Sequence, residues 1–229
     1  MSMERLSPVV VRTVRRLLAV FRLRFDPEPD VCPTSAIVPD ELEWPRTVRR
    51  AFSDVTAKHE STGIHGRGTE EVKTNDVTNR VAVGDVGLTV ELGRPGVGVW
   101  FRDVQHVAQA LARGGVRFED KNPVTSLMAD PSTGKLNPEI LNEKVMSVII
   151  EFGITMDRVS EILALLKNVA GEIPTTMAIG IATRCDEFGN TELDRILAEN
   201  GYHALRAKTN IGLGRSAVPA VALSSEENR

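Results

Sequence analysis

Apolar residues fall at every second position between Val86 and Leu92, where Val86, Leu88, Val90 and Leu92 alternate with glycine, threonine and glutamate. A period of two predicts a strand with one buried face. Val97, Val99 and Phe101 alternate in the same way after Gly93-Arg94-Pro95-Gly96, whose Pro-Gly pair suits the centre of a type II turn. The two runs therefore predict a small sheet. Beyond them the period changes to that of a helix. Asp103 is placed to cap a segment carrying Val104, Val107, Ala108 and Leu111, and Gly114-Gly115 ends it. Val116 to Phe118 then reads as a short strand.

Residues 129–138 hold turn chemistry, and two helices are expected after them, at 139–152 and 156–170, divided by Gly153. The second carries Val159, Ile162, Leu163, Leu166 and Val169 on one face. Thr176 to Thr183 is apolar nearly throughout, as strands covered on both faces are. A capped helix from Asn190 or Thr191 to Glu199 follows, then a strand at about 203–207. Helix, strand, helix, strand with short loops predicts a parallel β-α-β unit.

The N-terminal part has a different character. Val10, Val11, Val14, Leu17, Leu18 and Phe21 share a helical face opposite Arg12, Arg15, Arg16 and Arg22, and a short strand is expected to reach Asp26-Pro27. Prolines at 27, 29, 33, 39 and 45 make residues 26–45 a connector, and a second helix is expected from Pro45 to about His59. Residues 61–71 are Gly-rich and polar. The predicted organisation is an N-terminal region (1–60) of basic helices and Pro-rich connector, a flexible loop (61–71), and an α/β domain (72–229), all compatible with one packed domain. The predicted class is α/β, with a mixed α+β N-terminal part and helices packed on a C-terminal parallel sheet.

Composition narrows the function classes. Formal net charge is −3 and aromatic residues are 4%, which argues against nucleic-acid binding and base-stacking platforms. Charges interrupt every apolar run before it reaches a membrane span, so no membrane association is expected. Two cysteines, Cys32 and Cys185, make no disulfide framework, and a soluble cytoplasmic protein is expected. His59 and His65 lack the spacing of a metal site, so no metal is expected, and no motif names a cofactor.

Candidate chemistry follows from the expected parallel unit, because ligands bind beyond the carboxyl ends of parallel strands. Lysine occurs seven times, and three lysines precede an asparagine at an expected element end: Lys73 before Asn75, Lys121 before Asn122, and Lys208 before Asn210. A compact ammonium binds phosphate or carboxylate, or acts as a base when desolvated. Arg184, Cys185 and Asp186 follow the apolar strand, and Arg215 sits in a Gly-rich stretch that could hold an anion. The first expectation is an enzyme acting on a small anionic metabolite, with Lys121, Asn122, Asn210, Arg215 and Arg184 binding it. Asp186, Lys208 and Cys185 would be the catalytic groups. The plainer reading is that Lys and Asn are good turn residues.

A second expectation rests on Arg-Thr-Val-Arg-Arg, which occurs at 12–16 and again at 46–50. Its arginines could dock an acidic partner chain or a polyphosphate, and the protein would then be a non-catalytic accessory or regulatory subunit, binding a protein partner or a second copy of itself.

Overall fold

The computed structural model describes residues 41–54, 57–59, 63, 80–94, 97–186 and 188–202. The expected elements before residue 41, the Gly-rich loop apart from Gly63, and the last expected strand lie outside the described residues. So do the Lys73 and Lys208 endings.

The strand predicted by alternation forms as β1 (Asp85–Leu92), with Val86, Leu88, Val90 and Leu92 all at 0% exposure. After it come β2 (Val99–Trp100), α2 (Phe101–Arg113) and β3 (Arg117–Phe118). A small hairpin, β4 (Met128–Asp130) with β5 (Lys135–Leu136), leads to β6 (Lys144–Val145) and β7 (Val148–Thr155). Then follow α3 (Val159–Ala170), β8 (Met177–Thr183) and α4 (Glu192–Glu199). A short helix, α1 (Thr47–Ala51), precedes them all and places Val48 and Phe52 in the common core. It is much shorter than the expected helix from Pro45 to His59.

The main sheet has the order β3-β7-β1-β8, and each of its pairs is antiparallel. β7 and β8 therefore run parallel to each other but have β1 between them, with α3 as the crossover. β1 and β3 likewise run parallel on either side of β7, joined by α2. Two interlocked split β-α-β units of this kind make the ferredoxin-like connectivity. The predicted parallel β-α-β unit is thus corrected: the class is α+β, and each connection skips over an antiparallel strand. Fold alone carries no function.

Register gives the sheet two unlike faces. Val86, Leu88, Val90 and Leu92 stand opposite Ile154, Phe152, Ile150 and Val148 on one side and Thr183, Ile181, Ile179 and Met177 on the other. The apolar residues among these share a hydrophobic core with Val104, Val107 and Leu111 of α2 and Ile162, Leu163 and Leu166 of α3. The second face mixes small residues, Gly87, Gly153, Gly180, Ala178 and Ala182, with Thr89, Glu91, Ile149 and Glu151 on the two central strands.

Three local expectations are corrected. The turn after β1 exists, since Gly98 N–H donates to Gly93 O at 2.9 Å, but β2 pairs with β6 and not with β1. Phe101 starts α2 and is no strand residue. The helix expected at 139–152 is a 3₁₀ turn at Pro138–Ile140 followed by β6 and β7, and Gly153 lies inside β7. The Val-Ile-Ile run and the non-local partners available to it favour the strand, because β-branched side chains pack well on a pleated surface. No described helix is long and apolar enough to cross a membrane.

Candidate functional site

The residues singled out as candidate chemistry fall at two separate places. Lys121 and Asn122 follow β3, beside the middle of β7. Arg184, Cys185 and Asp186 follow β8, on the opposite sheet edge. Because β3 and β8 point in opposite directions, the chains leaving them diverge: Asn122 meets Ile149 near the start of β7, whereas β8 ends at the level of Ile154 near its finish. Three strand spacings separate them across the sheet (about 14 Å), with roughly 20 Å more along it. The rule that places ligands beyond strand carboxyl ends assumes parallel strands, and here it points both ways. Lys208, Asn210 and Arg215 lie outside the described residues.

Asn122 is a fold residue by its contacts. It is 0% exposed; its Nδ2 donates to Ile149 O at 3.1 Å and its Oδ1 accepts from Val124 N–H at 2.9 Å. Glu119 N–H donates to Glu151 O at 2.9 Å, continuing the ladder after β3 has ended. The Asn122 amide then caps a further β7 carbonyl two residues on, substituting for a strand. Lys121 is exposed.

Asp186 organises its own loop. One carboxylate oxygen accepts from Phe188 N–H at 2.9 Å and from Asn190 N–H at 2.7 Å. Arg184 Nε donates to Val81 O at 2.9 Å, tying the end of β8 to the chain entering β1. Cys185 is an exposed free thiol. Phe188, at the loop tip, is 80% exposed.

A cleft of about 60 Å³ opens at the β3 side of the sheet, lined by residues that include Arg80, Asp85, Arg117, Glu119, Glu151 and Gly153. Arg117 is paired with Asp85 at 3.4 Å and Arg80 with Glu119 at 3.2 Å. Gly153 lets the Arg117 guanidinium lie close to the strand: a Cβ there would stand 2.9 Å from Nη2.

The most chemically distinct surface is one that sequence reasoning missed. β2 and β6 form a two-stranded ribbon, with Val99 opposite Val145 and Trp100 opposite Lys144. Val99 and Val145 enter the core, so Trp100 and Lys144 share the outer face. The Arg102 guanidinium sits 4.6 Å from the Trp100 ring centroid and the Lys144 ammonium 5.9 Å from it. Gly98, with φ +68°, makes room for the Lys144 stem, since a Cβ would stand 3.1 Å from Lys144 Cε and 2.8 Å from Val145 O. Met146 and Val97 beside it are 45% and 50% exposed.

The Arg-rich helix α1 packs against β6 at the same corner. Arg49 pairs there with Glu143, and Arg50 with Asp54 at 3.4 Å, so these two arginines of the second copy answer acids of their own chain. Trp44 Nε1 donates to Glu139 Oε2 at 2.5 Å close by in sequence to that helix. Trp100 could have drawn attention as one of two tryptophans in the chain. Its pairing with Lys144, forty-four positions away, has no local signal.

Compared with protein-family models, curated proteins and solved structures, the chain matches none. Its function must be argued from this geometry.

Among the described residues no cluster of three or more histidine, cysteine or acidic side chains is arranged to hold a metal. His59 is buried and packs edge-on against Phe52, with ring centroids 4.6 Å apart. His106 Nε2 contacts Glu172 Oε2 at 2.5 Å on the surface.

Proposed function

We propose that this chain is a non-catalytic accessory subunit that docks an acidic segment of a larger protein on the β2–β6 ribbon. The observation that carries this reading is Trp100 flanked by Arg102 and Lys144, two exposed cations with no carboxylate partner among the described residues. Each cation–ring contact is worth about 0.5–1 kcal/mol at an exposed site and holds its side chain in place. A positioned cation loses less freedom on binding, which favours an anionic partner. Met146 and Val97 add apolar surface, so the fitting ligand is an acidic peptide that also carries apolar side chains.

Reading the protein as an enzyme on a phosphate- or carboxylate-bearing metabolite has one observation in its favour, the exposed Arg117 at the cleft. It is the weaker reading, because two arginines (Arg80, Arg117) face three carboxylates (Asp85, Glu119, Glu151) there, a formal balance of −1. An anion entering would meet like charge.

The test uses Trp100 as its own reporter in a Trp44→Phe background. Titration with a synthetic acidic peptide containing leucine and phenylalanine should change the fluorescence saturably, and added salt should weaken the effect. Arg102→Glu with Lys144→Glu should abolish it. Binding indifferent to that charge reversal, or no binding at all, would remove the proposal. A response to inorganic polyphosphate alone would reassign the surface to a different anion. Stabilisation by a small metabolite, about 2.7 kcal/mol at 100 times its dissociation constant, would revive the enzyme reading.

A further inference from the structure

The two edges of the main sheet are treated very differently. β3 is two residues long and carries Arg117, so that edge is short and charged, which are two ordinary devices against strand addition. β8 has neither. It runs for seven residues (Met177–Thr183) without a charge or a proline, and its register against β1 is continuous from Met177 to Thr183 with no bulge. In an antiparallel pair every second residue turns its N–H and C=O away from the neighbour. The outward backbone groups of β8 have no hydrogen-bond partner among the described residues, and the one side-chain bond of the strand, from Thr183 Oγ1 to Asp85 O at 3.0 Å, runs inward to β1. Its side chains show the same incompleteness: Ile179, Ile181 and Met177 are only partly buried, whereas their neighbours Val90, Leu88 and Leu92 on β1 are fully buried.

We infer that β8 is the pairing edge for a second copy of this chain, joining two four-stranded sheets antiparallel across a two-fold axis at Gly180. The strand suits its own copy for a reason that can be read residue by residue. A homotypic antiparallel pair centred on Gly180 sets Ala178 opposite the partner copy's position 182, and Ile179 opposite its position 181. No like charges meet, because the strand has none. Small residues meet small on the second face, and bulky meet bulky on the core face. Pro174 and Arg184 bracket the strand, limiting the pairing to this segment.

The experiment is sedimentation equilibrium of the full chain from about 1 to about 100 µM, a range that brackets affinities near the micromolar level. A monomer–dimer equilibrium is expected. Ala178→Lys combined with Ala182→Lys sets lysines directly opposite each other twice across the axis and should weaken the dimer by about tenfold. Ala178→Lys combined with Ala182→Glu sets lysine opposite glutamate in the same register and should restore it. Circular dichroism of both variants checks that the monomer folds. A wild-type monomer throughout the range overturns the inference. So does a dimer that ignores both variants, because it would use a different surface. Protection of β8 amides from exchange in a strictly monomeric protein would also overturn it, by showing the edge covered from within the chain.

Discussion

Replacing Asn122 by alanine separates a fold residue from a ligand-binding one. The side chain is fully buried and both ends of its amide are engaged, one with Ile149 O and the other with Val124 N–H. Alanine fills less space and leaves a carbonyl and an amide without partners. Each orphaned buried group costs about 1–3 kcal/mol, so the substitution should cost about 2–6 kcal/mol. A domain of ordinary stability has only about 5–15 kcal/mol to lose. In a chain of this length each kcal/mol moves the melting temperature by about 2–4 °C, so a fall of roughly 4–24 °C is expected. Thermal unfolding followed by far-ultraviolet circular dichroism measures it directly. Lys121→Ala, one residue earlier and exposed, is the control and should stay within about 0.5 kcal/mol of wild type. An Asn122→Ala melt within a degree or two of wild type would refute the reasoning, since the two hydrogen bonds would then contribute nothing net.

Three further outcomes follow from other positions. Gly134→Ala should destabilise by about 2–5 kcal/mol in urea titration, because Gly134 has φ +70° and an added Cβ would stand 2.4 Å from Ala108 O on the backbone of α2; an unchanged midpoint would mean the β4–β5 turn moves freely off that helix. Ser147→Ala should raise stability by about 1 kcal/mol, since the Ser147 hydroxyl is buried with no hydrogen-bond partner among the described residues; a loss of stability would reveal a partner. Asp130 is held below the usual carboxylate range by hydrogen bonds from Ser132 Oγ and Thr133 Oγ1. Folding therefore favours its ionised form, a contribution present above the ordinary carboxylate value and lost as pH falls through the depressed one. Ser132→Ala should move the Asp130 midpoint upward in a carboxyl-carbon NMR titration, and an unmoved midpoint would remove that hydrogen bond as the main cause.

Elements whose burial follows from local period could be read from the sequence, and those whose identity depends on distant partners could not. β1, α2, α3 and α4 match the expected segments within a few residues, because alternation and helical spacing register directly which side is buried. The helix α4 even carries the expected cap, with Thr191 Oγ1 accepting from Leu193 N–H at 3.1 Å. β7 was hidden for a physical reason. Its partners are β1, more than fifty residues earlier, and the two-residue β3, and Ile149 between Val148 and Ile150 makes an unbroken apolar run that blurs the alternation of Ile150, Phe152 and Ile154 with Glu151, Gly153 and Thr155. Read after that apolar run, a glycine at 153 looks like a helix break; in the sheet it is the flat spot under Arg117.

β8 shows a subtler error with a recoverable signal. An uncharged apolar run suggests a strand covered on both faces, yet the run alternates bulky Met177, Ile179 and Ile181 with small Ala178, Gly180 and Ala182. That alternation of size, with no alternation of polarity, marks one packed face and one flat face. Topology keeps the described candidates apart, while Lys208, Asn210 and Arg215 lie outside the described residues. In a parallel sheet the chains leaving β3 and β8 would depart in one direction; here they depart in opposite directions, so Lys121 and Asn122 end far from Arg184, Cys185 and Asp186. The same topology leaves a long neutral edge at β8 and sets the cationic ribbon of Trp100 apart from it in sequence and in pairing. The proposed docking at the basic aromatic surface and the inferred pairing at the uncharged edge both predict association, which makes association the property to measure first.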